Sequence, residues 1–162
     1  MTEYVWGLDP SVSRMAFAFA PLPTGSIDVA TLLVGSDARE GQRLGWLDRQ
    51  LRIYARQQAE RYPPAAVWVE QPSGKHRNLP LVYAVGAAQA ALFETLRCPV
   101  WTIPSSTWKQ RTVGAGNATK AQVAAWVAAR GAEVDGQDQA DAYASAAAGR
   151  AMVHAASWEA AA

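Results

Sequence analysis

The first apolar run covers residues 4–8 (YVWGL) and stops at Asp9-Pro10, the pattern of a short strand covered on both faces and ended by a turn. Met15 to Ala20 predicts a second strand and Ile27 to Val34 a third, with Pro21, Pro23 and Gly25 punctuating between them. Two short connections make an antiparallel, three-stranded start. From Arg39 to Tyr62 the period becomes helical. Leu44, Leu47, Leu51 and Tyr54 recur on one side, Arg43, Arg49, Arg52 and Arg56 fall largely elsewhere, and Pro63-Pro64 ends the helix. Ala65 to Val69 is the next buried strand and leads into Glu70. A polar loop from Gln71 to Asn78 precedes an Ala-rich helix to about Arg97, and Val100 to Ile103 is a fifth strand closed by Pro104. Two shorter helices flank the loop from Gly114 to Asn117, and a last helix begins near Gln137.

Strands 4 and 5 are each reached through a helix, so right-handed crossovers should set them parallel to strand 1. The fold class is α/β: a mixed five-stranded sheet, three strands antiparallel and two parallel, flanked by helices on both faces. No internal repeat or linker divides residues 1–162, so a single domain is expected.

Half of the 162 residues are apolar and 18% are charged, which fits a globular chain. The formal charge of +1 hides an asymmetry. Lys109, Arg111 and Lys120 lie in a stretch without acids, and Glu133, Asp135, Asp138 and Asp141 crowd the next one. Such a pair suits a protein that holds a polyanion beside cations, and equally two solvated faces of opposite sign. The single Cys98 excludes an intramolecular disulfide and a thiolate zinc site, and reads as a small core hydrophobe. No N-terminal segment combines a basic start with an apolar run, and no stretch is expected to reach bilayer-spanning length. A soluble protein of a reducing compartment, with no membrane partner, is expected.

Asp9 and Glu70 each stand at the C-terminal end of an apolar strand, where open α/β sheets place their ligands. Taken singly, Asp9 is an ordinary turn starter and Glu70 marks the end of burial. Asp138 and Asp141 share one face at the start of the last helix, where capping and the helix dipole also favour Asp. Together the four would form a carboxylate cluster. Two carboxylates about 4 Å apart repel by roughly 4 kcal/mol at an effective dielectric near 20, so the cluster must protonate, spread, or take up cations. Such hard oxygen ligands suit Mg²⁺, with Mn²⁺ as a substitute. Two such ions per site would serve phosphodiester hydrolysis by in-line attack, activating a water and steadying the leaving oxygen. Lys109 and Lys120 flank Gly114 and Gly116. A glycine loop feeding a helix near Asn117 could offer backbone N–H groups to a phosphate, or be a plain interhelical turn capped by Asn117 or Thr119.

These segments resemble a family. GLDPSVSR, VEQ and DQADAYASA, with WKQRTVGAGNATKAQV between the last two, are similar to the motifs of the RuvC-type Holliday junction resolvases. These are homodimeric members of the RNase H-like superfamily that act in DNA recombination and repair. The resemblance runs from Gly7 to about Ala148. It implies an RNase H-like fold and a Mg²⁺-dependent endodeoxyribonuclease that resolves four-way junctions by paired symmetric nicks. The acids Asp9, Glu70, Asp138 and Asp141 would hold metal and catalyse, with Lys109 and Lys120 as functional lysines. It further implies a cytoplasmic protein of a bacterial cell or its phage.

Where cellular bacterial resolvases carry a stacking aromatic, this chain has Ser73 to Asn78, with none. Lys75, His76 and Arg77 can still bind DNA phosphates there, alongside Lys109, Arg111, Asn117 and Lys120. A broader branched-DNA or hybrid nuclease, or a DNA-structure-binding module without catalysis, are the alternatives. The helix from about Asn78 resembles the family's dimer helix. Its Ala84, Gly86, Ala87, Ala88, Ala90 and Ala91 would allow close helix approach between two copies, or pack on the sheet. Trp6, Trp68, Trp101 and Trp126 are expected in the core. Trp108, beside Lys109, is expected there too, and is the one tryptophan to test for DNA contact.

Overall fold

The computed structural model describes residues 2–11, 13–34, 40–72 and 79–161. Its elements run β1 (Tyr4–Asp9), β2 (Arg14–Pro21), β3 (Asp28–Leu33), α1 (Glu40–Arg61), β4 (Pro64–Gln71), α2 (Leu79–Leu96), β5 (Val100–Pro104), α3 (Ser105–Thr112), α4 (Lys120–Ala128) and α5 (Gln137–Ala161). The strands form one sheet in the order β3-β2-β1-β4-β5. β1 pairs antiparallel with β2, and β2 with β3; β4 lies parallel to both β1 and β5. β4 extends past Glu70, which pairs with Ile103 of β5, so Glu70 is held inside the sheet rather than at a fraying end.

The two-residue period of the strands sorts side chains between two unlike faces. Trp6 and Leu8 of β1, Phe17 and Phe19 of β2, and Val67 and Val69 of β4 meet α1 and α2 in one apolar cluster. Burying each such side chain stabilises the fold by about 1.5–3 kcal/mol. Cys98 is buried in this cluster, as expected. The opposite face presents Ala16, Ala18 and Ala20 to the alanines of α5, with Trp108 and Val123 beyond. Small residues on both sides let α5 lie close to the sheet. Gly7 makes this contact possible: a Cβ there would overlap the carbonyl oxygen of Ala142 and sit 2.5 Å from the nitrogen of Ala146. Gly149 does the same further along α5, where a Cβ would overlap the indole of Trp68.

Two expectations about apolar segments change. Trp6 and Trp108 are fully buried, whereas Trp68 and Trp126 are half-buried and Trp101 is 54% exposed. Trp101 lies on β5, a strand at the edge of the sheet, and leans on Trp68 with ring centroids 6.4 Å apart. α2 is long and apolar enough by length and composition to cross a membrane, contrary to expectation. Here, however, it packs Ala84, Ala88, Ala91 and Leu92 against the core. Those alanines are therefore turned inward, while Gly86 and Ala90 face outward and Ala87 is half-buried.

Candidate metal centre

Side-chain alternation decides where the acids point. Asp9 follows Gly7 on the α5 side of β1, and Glu70 follows Trp68 on the same side of β4. Leu8 pairs with Val69 in the parallel ladder, so the next residue on each strand, Asp9 and Glu70, come out side by side. α5 lies flush over Gly7 and carries Asp141 to the same spot. One carboxylate oxygen from each of Asp9, Glu70 and Asp141 lies within 4.8 Å of the others. Among the described residues this is the set with that geometry, and it is suited to a metal ion. Asp138 is the exception. It lines the same cavity, of about 310 Å³, but its carboxylate is not among the clustered three.

Electrostatics supports a cation there. Burial first, then the negative charge of Glu70, Asp141 and Asp138, hold the Asp9 carboxyl well above the usual carboxylate range. Burial and the neighbouring Asp141 push Glu70 up to about 7. Asp141 is raised as well, by burial and then by Asp138. A group of half-buried acids that cannot all ionise comfortably is a set of oxygen ligands lacking a countercharge, which fits a hard divalent cation. Lys109 and Lys120 line the cavity and lower the pKa of both Glu70 and Asp141. Their ammonium groups offset only part of the repulsion.

Two partners outside the acids orient them. The buried Trp108 donates its indole N–H to Glu70 Oε2 at 3.3 Å, so this tryptophan serves the centre from inside the core, where DNA cannot reach its ring. Gln137 donates Nε2–H to Asp141 Oδ1 at 2.6 Å. The Gln137 contact was open to sequence reasoning, since residues four apart on a helix are neighbours. The Trp108 contact was not.

The glycine loop follows the second of its two readings, an interhelical turn. Gln110 donates to the Gly114 carbonyl oxygen at 2.9 Å and accepts from the Gly116 N–H at 3.1 Å. The Gly114 and Ala118 N–H groups bond to Lys109 O and Ala115 O. Thr119, not Asn117, caps α4 in a reciprocal pair with Gln122. These backbone donors are already used within the turn, and Lys109 and Lys120 bring positive charge to the cavity beside it. Arg111 and Asn117 are exposed outside the cavity lining. Lys75, His76 and Arg77 lie outside the described residues.

No protein-family model and no curated protein sequence matches the chain. Solved structures do. The chain is similar to Thermus thermophilus RuvC, with 24% identity over 90% of this chain and 92% of that one and a TM-score of 0.69. Against T. thermophilus RuvC in complex with Holliday junction substrate the TM-score is 0.73 at 23% identity, with the same coverage. The yeast mitochondrial Holliday junction resolvase Ydc2 matches 91% of this chain and 78% of its own at 13% identity, TM-score 0.62. The chain therefore has the RuvC-type, RNase H-like fold.

Proposed function

We propose that this protein is a divalent-metal-dependent endodeoxyribonuclease that resolves four-way DNA junctions, with two cations per site. The reading rests above all on one observation: Asp9, Glu70 and Asp141, from three separate elements, converge to within 4.8 Å in a cavity that two lysines also line. The fold shared with the resolvases supports junction DNA as the substrate.

Asp9, Glu70 and Asp141 would hold the metal, with Asp138 joining them. Bound Mg²⁺ or Mn²⁺ would supply Lewis acidity toward a phosphate and lower the pKa of water. The chain's own groups do the rest. Trp108 and Gln137 hold Glu70 and Asp141 in place, and Lys109 and Lys120 receive the negative charge of the scissile phosphate. The acids repel DNA until a cation is present, so productive binding and metal loading are linked. Lys75, His76, Arg77, Arg111 and Asn117 would extend the DNA contact around this centre.

Paired nicks need two sites, and α2 supports a homodimer. Its outward side carries Leu79, Val82, Tyr83, Gly86, Ala90 and Phe93 at helical spacing, an apolar stripe of the kind that is buried between subunits. The protein would act in the cytoplasm of a bacterial cell or for its phage. End-labelled four-way, flap and linear DNA incubated with Mg²⁺, Mn²⁺ or EDTA tests the function. Metal-dependent, symmetric nicks in the four-way substrate, lost in Asp141→Asn with binding kept, are expected. Tight binding without cutting in any metal would overturn it in favour of a binding module, and flap cleavage would widen the substrate.

A further inference from the structure

Asp138 sits one helical turn before Asp141, yet its carboxylate is not with the other three acids. It faces Arg14 instead, with Oδ2 3.8 Å from the guanidinium Nε. Arg14 opens β2, the strand next to β1, on the side of the centre away from β4. Its Nη2 donates to the Asp135 backbone oxygen at 3.1 Å and lies 3.9 Å from the Asp135 carboxylate. The Nε is buried and has no hydrogen-bond partner. The guanidinium is thus tied to Asp135 through Nη2, and the neighbouring Nε on the same edge lies beside the Asp138 carboxylate without a hydrogen bond.

An ion pair of this length between half-exposed groups is weak. A phosphate is a far better partner, since it accepts two parallel N–H donors from a guanidinium. DNA entering the centre brings such a group. Resting on the nuclease reading above, we propose that Arg14 is a positioning residue that couples DNA to cation binding. Without DNA it keeps Asp138 apart from Asp9, Glu70 and Asp141. When a backbone phosphate takes the guanidinium, Asp138 is freed to complete the cation site. The second cation therefore binds well only with substrate in place.

The test is Mn²⁺ titration by calorimetry on the DNA-free protein. Arg14→Gln should bind Mn²⁺ about fivefold tighter than wild type, the effect of losing a pair of this class, or take up a second ion. Asp138→Asn should abolish that gain. A gain that persists in the Asp138→Asn background would mean only that a nearby positive charge was removed, and would overturn the coupling; so would identical isotherms. Arg14→Lys, which keeps charge but loses the fork, should fall between, and matched thermal melts exclude misfolding. Junction binding in EDTA checks the phosphate. Arg14→Gln should reduce the slope of log Kd against log salt by about 0.9, and an unchanged slope sinks that half. Because the calorimetry needs no cleavage, a wild type that cuts nothing would remove the nuclease reading while leaving the Arg14–Asp138 result intact.

Discussion

Trp108 Nε1 meets Glu70 Oε2 at 3.3 Å, joining residues 38 positions apart in the chain. The indole is fully buried, so this hydrogen bond ties the apolar packing of α3 to the carboxylate best placed to sense it. The bond favours the ionised form and opposes the burial and the Asp141 charge that push Glu70 up to about 7. Trp108→Phe should keep the packing and lose the donor. The acidic limb of the cleavage pH profile should then move up by about one unit, the size expected when a hydrogen bond to a charged group is lost. Trp108→Ala would instead cost about 3–5 kcal/mol of stability. Superimposable profiles for Phe and wild type would remove Trp108 from the centre.

Metal-free stability should fall as pH rises. The folded Glu70 has a pKa of about 7 against an ordinary 4.5, so between those values the native state holds a proton that the unfolded chain has released. The unfolded state binds fewer protons there, and unfolding free energy declines with pH. Below about 4.5 the cost is absent; above about 7 it is complete, at about 3 kcal/mol. Asp9 and Asp141 are shifted in the same direction and add to it. Urea unfolding in EDTA at pH 5 and pH 8 measures the loss, and saturating Mg²⁺ should largely abolish it. Stability in EDTA that is flat or rises over this range would contradict the electrostatic account.

Gly7→Ala should be more damaging than its size suggests. The added methyl meets the backbone of Ala142 and Ala146, which cannot turn aside as a flexible side chain would. Lifting α5 from β1 should cost about 3 kcal/mol, the upper part of the usual overpacking range. It also carries Asp141 away from Asp9. Mn²⁺ affinity should drop along with the urea midpoint, and a variant with wild-type affinity would show that the glycine is dispensable for the centre.

Lys120 opens α4 and lowers the pKa of Asp9, Glu70 and Asp141 through its charge. Lys120→Met should therefore slow cutting by about tenfold, a cost of roughly 1.4 kcal/mol in the barrier, while weakening junction binding by much less. Comparing single-turnover rates with Kd separates the two effects. Equal losses in both would make the lysine a general phosphate contact.

The strands and helices were legible because their signals are local: periods of two and 3.6, bounded by Pro and Gly. The conjunction of Asp9 and Glu70 was also within reach, because two parallel strands that end in an acid must present those acids at one edge. The Arg14–Asp138 pair was not legible. Nor was the place of Trp108, or the use of Gln110 to fill the glycine turn. Each depends on which side chain reaches which atom after packing, and spacing along the chain carries no trace of that. Asp138 shows the limit most clearly, since helical spacing puts it on the face of Asp141 but says nothing about the guanidinium arriving from β2.

By itself, the sequence determined the order of elements and the mixed sheet and singled out the candidate acids, because periodicity and strand-end chemistry are properties of neighbours along the chain. Only the tertiary structure decided which three carboxylates converge, which one is held apart, and which backbone donors remain free. Those outcomes follow from close approach, as where α5 settles on Gly7, and from competition among charges brought together from distant segments.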